Sequence, residues 1–98
     1  MIDGNASPYR VKAPMTYDTS AELYARGARL LGQGEVVFDL EAVPKTDSSA
    51  LSVMLGWQRA AGAGGVRLIN LPSGLILLAK LYGVLEMLPL GAPTHQRG

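Results

Sequence analysis

Asp47-Ser48-Ser49-Ala50-Leu51 marks the boundary between a strand-like run and a helix-like run, and the predicted architecture follows from it. Before it lies Val36-Val37-Phe38-Asp39-Leu40, which is rich in strand-forming residues, and after it an apolar run continues to Ala61. An acidic residue and two hydroxyls therefore stand at a predicted helix N-terminus, where free N–H groups and the positive end of the helix dipole favour side-chain oxygens. The stretch predicts at least a capping motif.

The composition excludes several classes of protein. Ninety-eight residues make one small domain, and a hydrophobic content of 48% is sufficient for a core. A net charge of +1, with the basic residues scattered, argues against nucleic-acid binding. Without cysteine there is no disulfide and no Cys-based zinc site. No signal peptide is recognisable and the apolar runs are far shorter than the ~20 residues that span a bilayer, so we expect a cytoplasmic protein without direct membrane insertion.

Turn and capping residues divide the chain into alternating elements. Thr19 with Glu22 matches a capping box, and that helix should end near Gly32, although Gly27 should weaken it by about 1 kcal/mol relative to Ala. The predicted elements are, in order, a strand over 9–13, the helix from Thr19, a strand over 35–40, a helix over 49–61, a strand over 66–71, a helix from Pro72 to Gly83 and a short element over 84–88.

This alternation predicts parallel strands joined by right-handed crossovers. The fold class is therefore α/β, a single domain with a small, mostly parallel sheet and helices packed on it. We expect the domain to cover residues 9–90, with a flexible leader over 1–8 and a flexible tail over 91–98.

The helix predicted over 49–61 is apolar on two sides. One stripe should face the sheet and consists of Leu51, Met54, Leu55 and Ala61. The second stripe consists of Ala50, Val53, Trp57 and Ala60. In so small a domain, the side of a helix that faces away from the sheet is usually exposed to solvent. The second apolar stripe therefore predicts either deep burial or a partner, and the presence of Trp57 favours a partner. The next helix is equally apolar, with Lys80 as its only charge.

Catalytic groups are sparse. His95, the only histidine, lies in the predicted tail without a scaffold that would make it a base or a ligand. Asp39, Glu41 and Asp47 lie near one strand end, where turns and capping account for them. The loop Gly62-Ala63-Gly64-Gly65 follows a helix and precedes a strand, the reverse of a phosphate-binding loop. We therefore expect no enzymatic activity, no catalytic residue, no cofactor and no metal site.

A strand, the Asp-Ser-Ser-Ala-Leu turn, a helix, a strand and a second helix resemble the STAS domain of anti-sigma-factor antagonists and several transporter-associated modules. The C-terminal segment is similar to that of the MlaB family, the small cytoplasmic STAS subunits of Mla phospholipid-transport ABC systems. The residues that carry this similarity are Leu78-Ala79-Lys80-Leu81-Tyr82, Val84 and Leu88-Pro89. This resemblance covers about residues 35–90. It implies a non-catalytic accessory subunit that stabilises or tunes a transporter maintaining outer-membrane lipid asymmetry. The partners would be the ATPase subunit and, through it, the permease at the inner membrane.

The resemblance also implies roles for individual residues. Ser48 matches the functional threonine of Mla-type subunits, and their two helices dock on the ATPase. Ser49 matches the phosphorylated serine of the antagonists, although Ala50 stands where they usually carry glycine. The expected partner-binding residues are Ser48, Ser49, Val53, Trp57, Ile76, Leu81 and Tyr82. The alternative to the transporter subunit is an antagonist-type switch regulated by phosphorylation of Ser49.

Overall fold

The computed structural model describes residues 1–32 and 34–91. The strands are β1 (Ile2–Asp3), β2 (Tyr9–Val11), β3 (Val36–Asp39) and β4 (Val66–Ile69). The helices are α1 (Tyr17–Ala28), α2 (Ser49–Ala61) and α3 (Ser73–Leu81), with 3₁₀ turns at Gly62–Gly64 and Leu85–Met87. Within these ranges, no helix is both long enough and apolar enough to cross a bilayer.

The four strands form one sheet in the order β1-β2-β3-β4. β2, β3 and β4 are parallel, and β1 lies antiparallel to β2 at one edge. Past the second 3₁₀ turn the chain returns beside β4, where the N–H of Leu68 donates to the carbonyl of Pro89 at 2.9 Å. The predicted α/β domain with a small, mostly parallel sheet is confirmed.

Alternate strand residues face the helices. Phe38 and Leu68 are fully buried, whereas Val37 and Arg67, on the opposite side of their strands, are half-buried and exposed respectively. On that side Arg67 pairs with Glu35 at 2.8 Å. The helices contribute to the core Leu23, Ala50, Leu51, Val53, Met54, Trp57, Ala61, Leu75 and Ala79.

Trp57 lies at the centre of this core and is fully buried. Its ring stacks on Phe38, with centroids 4.2 Å apart and planes 24° apart, and its Nε1–H donates to the carbonyl of Tyr24 at 3.0 Å. The expectation that Trp57 and Val53 face a partner is therefore wrong. Both are buried, Val53 at 3% exposure, because α1 packs on this side of α2. Ala60, the last member of the second stripe, remains exposed.

The close approach of α1 to α2 depends on two glycines. A Cβ on Gly27 would overlap the indole of Trp57, and a Cβ on Gly56 would lie 2.9 Å from Cε1 of Tyr24. Each helix thus offers a glycine to an aromatic ring of the other. Gly27, expected only to weaken α1, makes the burial of Trp57 possible.

The predicted start of α1 is also wrong. The helix begins at Tyr17 with Thr16, not Thr19, as N-cap. Oγ1 of Thr19 accepts the N–H of Thr16 at 3.1 Å, and its hydroxyl donates to the carbonyl of Pro14 at 2.6 Å. Glu22, expected to reach back to the cap, instead pairs with Arg26 at 2.8 Å.

The chain ends differ from the expectation in part. Ile2–Asp3 forms a strand where a flexible leader was predicted, and Oγ of Ser7 accepts the N–H of Val37 at 2.7 Å. β1 therefore forms one edge of the sheet. Of the predicted tail, residues 92–98, including His95, lie outside the described residues.

We predict that Gly27→Ala lowers the free energy of unfolding by about 1–3 kcal/mol, because the added methyl overlaps the indole of Trp57. Gly74→Ala is the matched control, since nothing lies within 4 Å of its new Cβ in α3. It should leave stability unchanged or raise it by up to about 1 kcal/mol. Urea denaturation of both variants measures the difference, and equal stability would contradict the packing described.

Candidate functional site

The carboxylate of Asp47 binds the N-termini of two helices. Its Oδ1 accepts the N–H of Ser49, the first residue of α2, at 2.8 Å. Its Oδ2 accepts the N–H of Tyr17, the first residue of α1, at 3.1 Å. One side chain therefore satisfies N–H groups that two helices leave without intrahelical partners.

Backbone hydrogen bonds hold this turn against the segment that precedes α1. The N–H of Met15 donates to the carbonyl of Lys45 at 2.9 Å, and the N–H of Asp47 donates to the carbonyl of Met15 at 3.2 Å. Met15 and Thr46 thus form a parallel bridge beyond the end of β2. The turn is therefore held beyond the carboxyl ends of the parallel strands β2 and β3.

The hydrogen bonds also set the charge of the turn. The bond from the backbone N–H of Ser49, followed by that from Tyr17, lowers the pKa of Asp47 below its ordinary value of 3.8. A hydrogen bond with the Ser49 side chain lowers this pKa further. Asp47 is therefore ionised at neutral pH, and its negative charge lies at the positive ends of two helix dipoles.

The two serines differ in environment. Ser48 is exposed, adopts a helical backbone conformation and makes no capping hydrogen bond through its side chain. Ser49 is half-buried, and its side chain interacts with Asp47. The predicted capping motif is present, but Asp47 performs the capping; Ser48 is left exposed, and Ser49 lies half-buried against Asp47.

The structure places the remaining predicted residues elsewhere. Leu81 and Tyr82, at the end of α3, are 79% and 58% exposed, and Ile76 is half-buried. Ser48 and Ser49 therefore form one candidate site at the start of α2, and Leu81 and Tyr82 form a second exposed surface at the end of α3. Ile76 lies five residues before Leu81, about 140° away around the helix, so the structure does not bring it to that surface.

The STAS domain family model matches residues 2–96 of the chain. The chain belongs to the STAS domain family. Six chains of solved structures match its fold, among them the anti-sigma factor antagonist SpoIIAA in its unphosphorylated form. That likeness has a TM-score of 0.72 at 14% identity and covers 97% of this chain and 88% of the other. No curated protein matches the sequence.

The predicted STAS family is thus confirmed. At 14% identity the likeness to SpoIIAA shows the fold alone, and the resemblance to Mla-type subunits stays a prediction. STAS domains are generally regulatory and not catalytic. Among the described residues of this STAS domain, no group of three or more His, Asp or Glu side chains is arranged to hold a metal ion.

The STAS fold also creates a groove that the sequence reasoning missed. It lies between α1 and α2, has a volume of about 250 Å³, and is lined by Ser20, Ala21, Tyr24, Ser52 and Val53. Ser52 and Val53 lie one helical turn after Ser49, so the groove continues from the candidate site. In the sequence, the spacing of Ser20, Ala21 and Tyr24 indicates that they share one face of a helix. That spacing does not show the groove, which exists only because α1 packs on α2.

We predict that the Asp47 carboxylate makes stability depend on acidity. Because folding lowers its pKa, its contribution is present at pH values above about 4 and is lost as pH falls through the lower, folded-state pKa. Asp47→Asn removes the charge and cannot accept both N–H groups equally well. This variant should melt at a lower temperature at pH 7 and lose less on transfer to pH 3.

Ser48→Ala is the control for this experiment, because it retains the carboxylate and should show the acid response of the unmodified protein. Thermal melting at the two pH values provides the comparison. An Asp47→Asn variant with the same acid response as Ser48→Ala would refute this role for the carboxylate.

Proposed function

We propose that this STAS domain is a protein-binding switch of the anti-sigma-factor-antagonist type, controlled by phosphorylation of Ser49. The observation that carries the proposal is the position of Ser49, whose N–H is held by Asp47 at 2.8 Å where α1 and α2 begin. A hydroxyl at this place is fixed in position and half-exposed. The fold likeness to SpoIIAA, itself an antagonist, supports the same functional class.

Phosphorylation would change the charge of the turn. A phosphate adds about −1.5 to −2 charges at pH 7. It would stand beside ionised Asp47, so the surface would become strongly negative where Ser49 now presents a neutral hydroxyl. Such a surface repels an acidic partner and attracts an arginine. The partner would thus be released or exchanged at a site whose backbone Asp47 holds in place.

Ala50 fits this proposal although antagonists usually carry glycine there. Its side chain is fully buried and belongs to the core. The extra methyl group therefore points away from the surface around Ser49. A kinase or a docking partner would meet the same exposed groups as with glycine.

We expect the protein isolated from the cytosol of its own host to carry one phosphate, on Ser49. Intact-mass analysis with peptide mapping measures this directly. Ser49→Ala should abolish the adduct and Ser48→Ala, one residue away and more exposed, should retain it. A phosphate on Ser48 in place of Ser49 would count against the switch. So would the absence of any phosphate at every growth stage examined.

A second candidate function is the accessory subunit of a phospholipid ABC transporter. The exposed apolar side chains of Leu81 and Tyr82, beside Lys80, favour it, because Mla-type subunits dock on their ATPase through this region. Under this proposal the ATPase subunit binds the α3 surface and the exposed Ser48. The role of Ser48 would be a neutral hydrogen bond across the interface.

Affinity purification from host membranes tests the second candidate. Recovery of an ABC ATPase with its permease would support it, whereas recovery of an anti-sigma kinase would exclude it in favour of the switch. Leu81→Asp and Tyr82→Asp should abolish recovery. Lys80→Met should preserve it, because the unbranched methionine side chain covers the apolar surface that the lysine stem covers, and the lost ammonium group pointed to water. Ser48→Ala should weaken docking by about 0.5–2 kcal/mol, measured by calorimetry.

A further inference from the structure

The outer side of α3 presents apolar side chains to solvent. Leu77 and Leu81, one turn apart, are 66% and 79% exposed, whereas Leu75 and Ala79 on the inner side are fully buried. Met87, in the 3₁₀ turn that follows, is 58% exposed. α3 follows β4, the last parallel strand, so no further crossover helix covers its outer side in the described chain.

Basic side chains border this apolar surface. Lys80 shares a shallow groove with Glu86, and Arg59 shares another with Met87. Neither Lys80 nor Arg59 forms an ion pair with any residue in 1–32 or 34–91. The cations that do form ion pairs lie elsewhere in the fold and are Lys12 with Asp3, Arg26 with Glu22 and Arg67 with Glu35. Arg10, Arg29 and Lys45 also form no ion pair among the described residues, but they lie on β2, at the end of α1 and before α2. The surface around α3 thus combines two unpaired cations with the one carboxylate of Glu86.

We propose that this surface, the α3 ridge formed by Leu77, Lys80, Leu81, Tyr82 and Met87, binds the face of an anionic phospholipid bilayer. Aliphatic side chains on such a ridge enter the boundary between headgroups and acyl chains. Lysine and tyrosine extend their polar ends to the headgroup level, and the cations are attracted to anionic lipids.

The shape of the ridge favours lipid over a protein partner. A stable protein interface buries about 800 Å² on each side and needs a complementary surface. The ridge instead presents a few side chains that stand out from one short helix, and a fluid acyl layer accommodates these without a matching groove. The contact is peripheral and reversible because so few groups enter the bilayer. This peripheral contact differs from the expectation that the protein does not insert directly into a membrane. That expectation rested on the apolar runs, which are too short to span a bilayer.

This inference is independent of phosphorylation at Ser49, and it is tested with the purified full chain alone. Flotation should show binding to vesicles of phosphatidylcholine with phosphatidylglycerol, and weaker binding to phosphatidylcholine alone. Lys80→Gln should reduce binding to the anionic vesicles about fivefold, the equivalent of about 1 kcal/mol. The double variant Leu77→Ser with Leu81→Ser should reduce binding to both types roughly tenfold or more.

Tyr17→Ser is the matched control, because Tyr17 is 80% exposed but lies at the start of α1 and outside the ridge. It should bind vesicles like the unmodified protein, and thermal melting confirms that each variant is folded. Absence of binding to anionic vesicles would overturn the proposal. Binding that the leucine variant retains in full would also overturn it. If the purified chain does not bind vesicles and the purification from host membranes recovers a transporter ATPase that Leu81→Asp loses, the ridge binds a protein partner instead.

Discussion

The stacking of Trp57 between Phe38 and the glycine face of α1 is the contact on which the rest of the fold depends. It joins β3, α2 and α1 in one place, with ring centroids of Trp57 and Phe38 4.2 Å apart and Gly27 against the indole. A domain of 98 residues buries a limited area, so the burial of its largest side chain, that of Trp57, weighs heavily in its stability. Any change that separates α1 from α2 also exposes this ring.

The same contact determines the geometry of the candidate site. Asp47 can accept N–H groups from both Tyr17 and Ser49 only if the first turns of α1 and α2 lie side by side. The packing around Trp57 sets that distance from within the core. The core and the surface are thereby coupled, since the Asp47 carboxylate can form both hydrogen bonds only when the packing in the core places the two helices correctly. Ser49 is held in this arrangement by Asp47, through its backbone N–H and through its side chain.

Local patterns in the sequence predicted the elements that depend on local interactions. The helix over 49–61 was predicted with its observed bounds, because an acidic turn precedes it and glycines follow it. The burial of Trp57 could not be predicted, since an apolar stripe looks the same whether a helix of the same chain or a partner covers it. The bond from Tyr17 to Asp47 spans thirty positions, and no periodicity shows it. The two-residue strand β1 is too short to produce an alternating pattern.

The strand-like return of the chain beside β4 has a consequence for the protein in a crowded cell. The N–H and carbonyl of Leu68 are bonded to Pro89 and Gly91, so the outer side of β4 is partly occupied by the protein's own backbone. At the opposite edge of the sheet, β1 offers only two residues. Open strand edges recruit strands from other molecules, and short or covered ones do not. In the described part of the chain, both borders of the sheet therefore resist intermolecular strand addition, and association is directed to the helical surfaces.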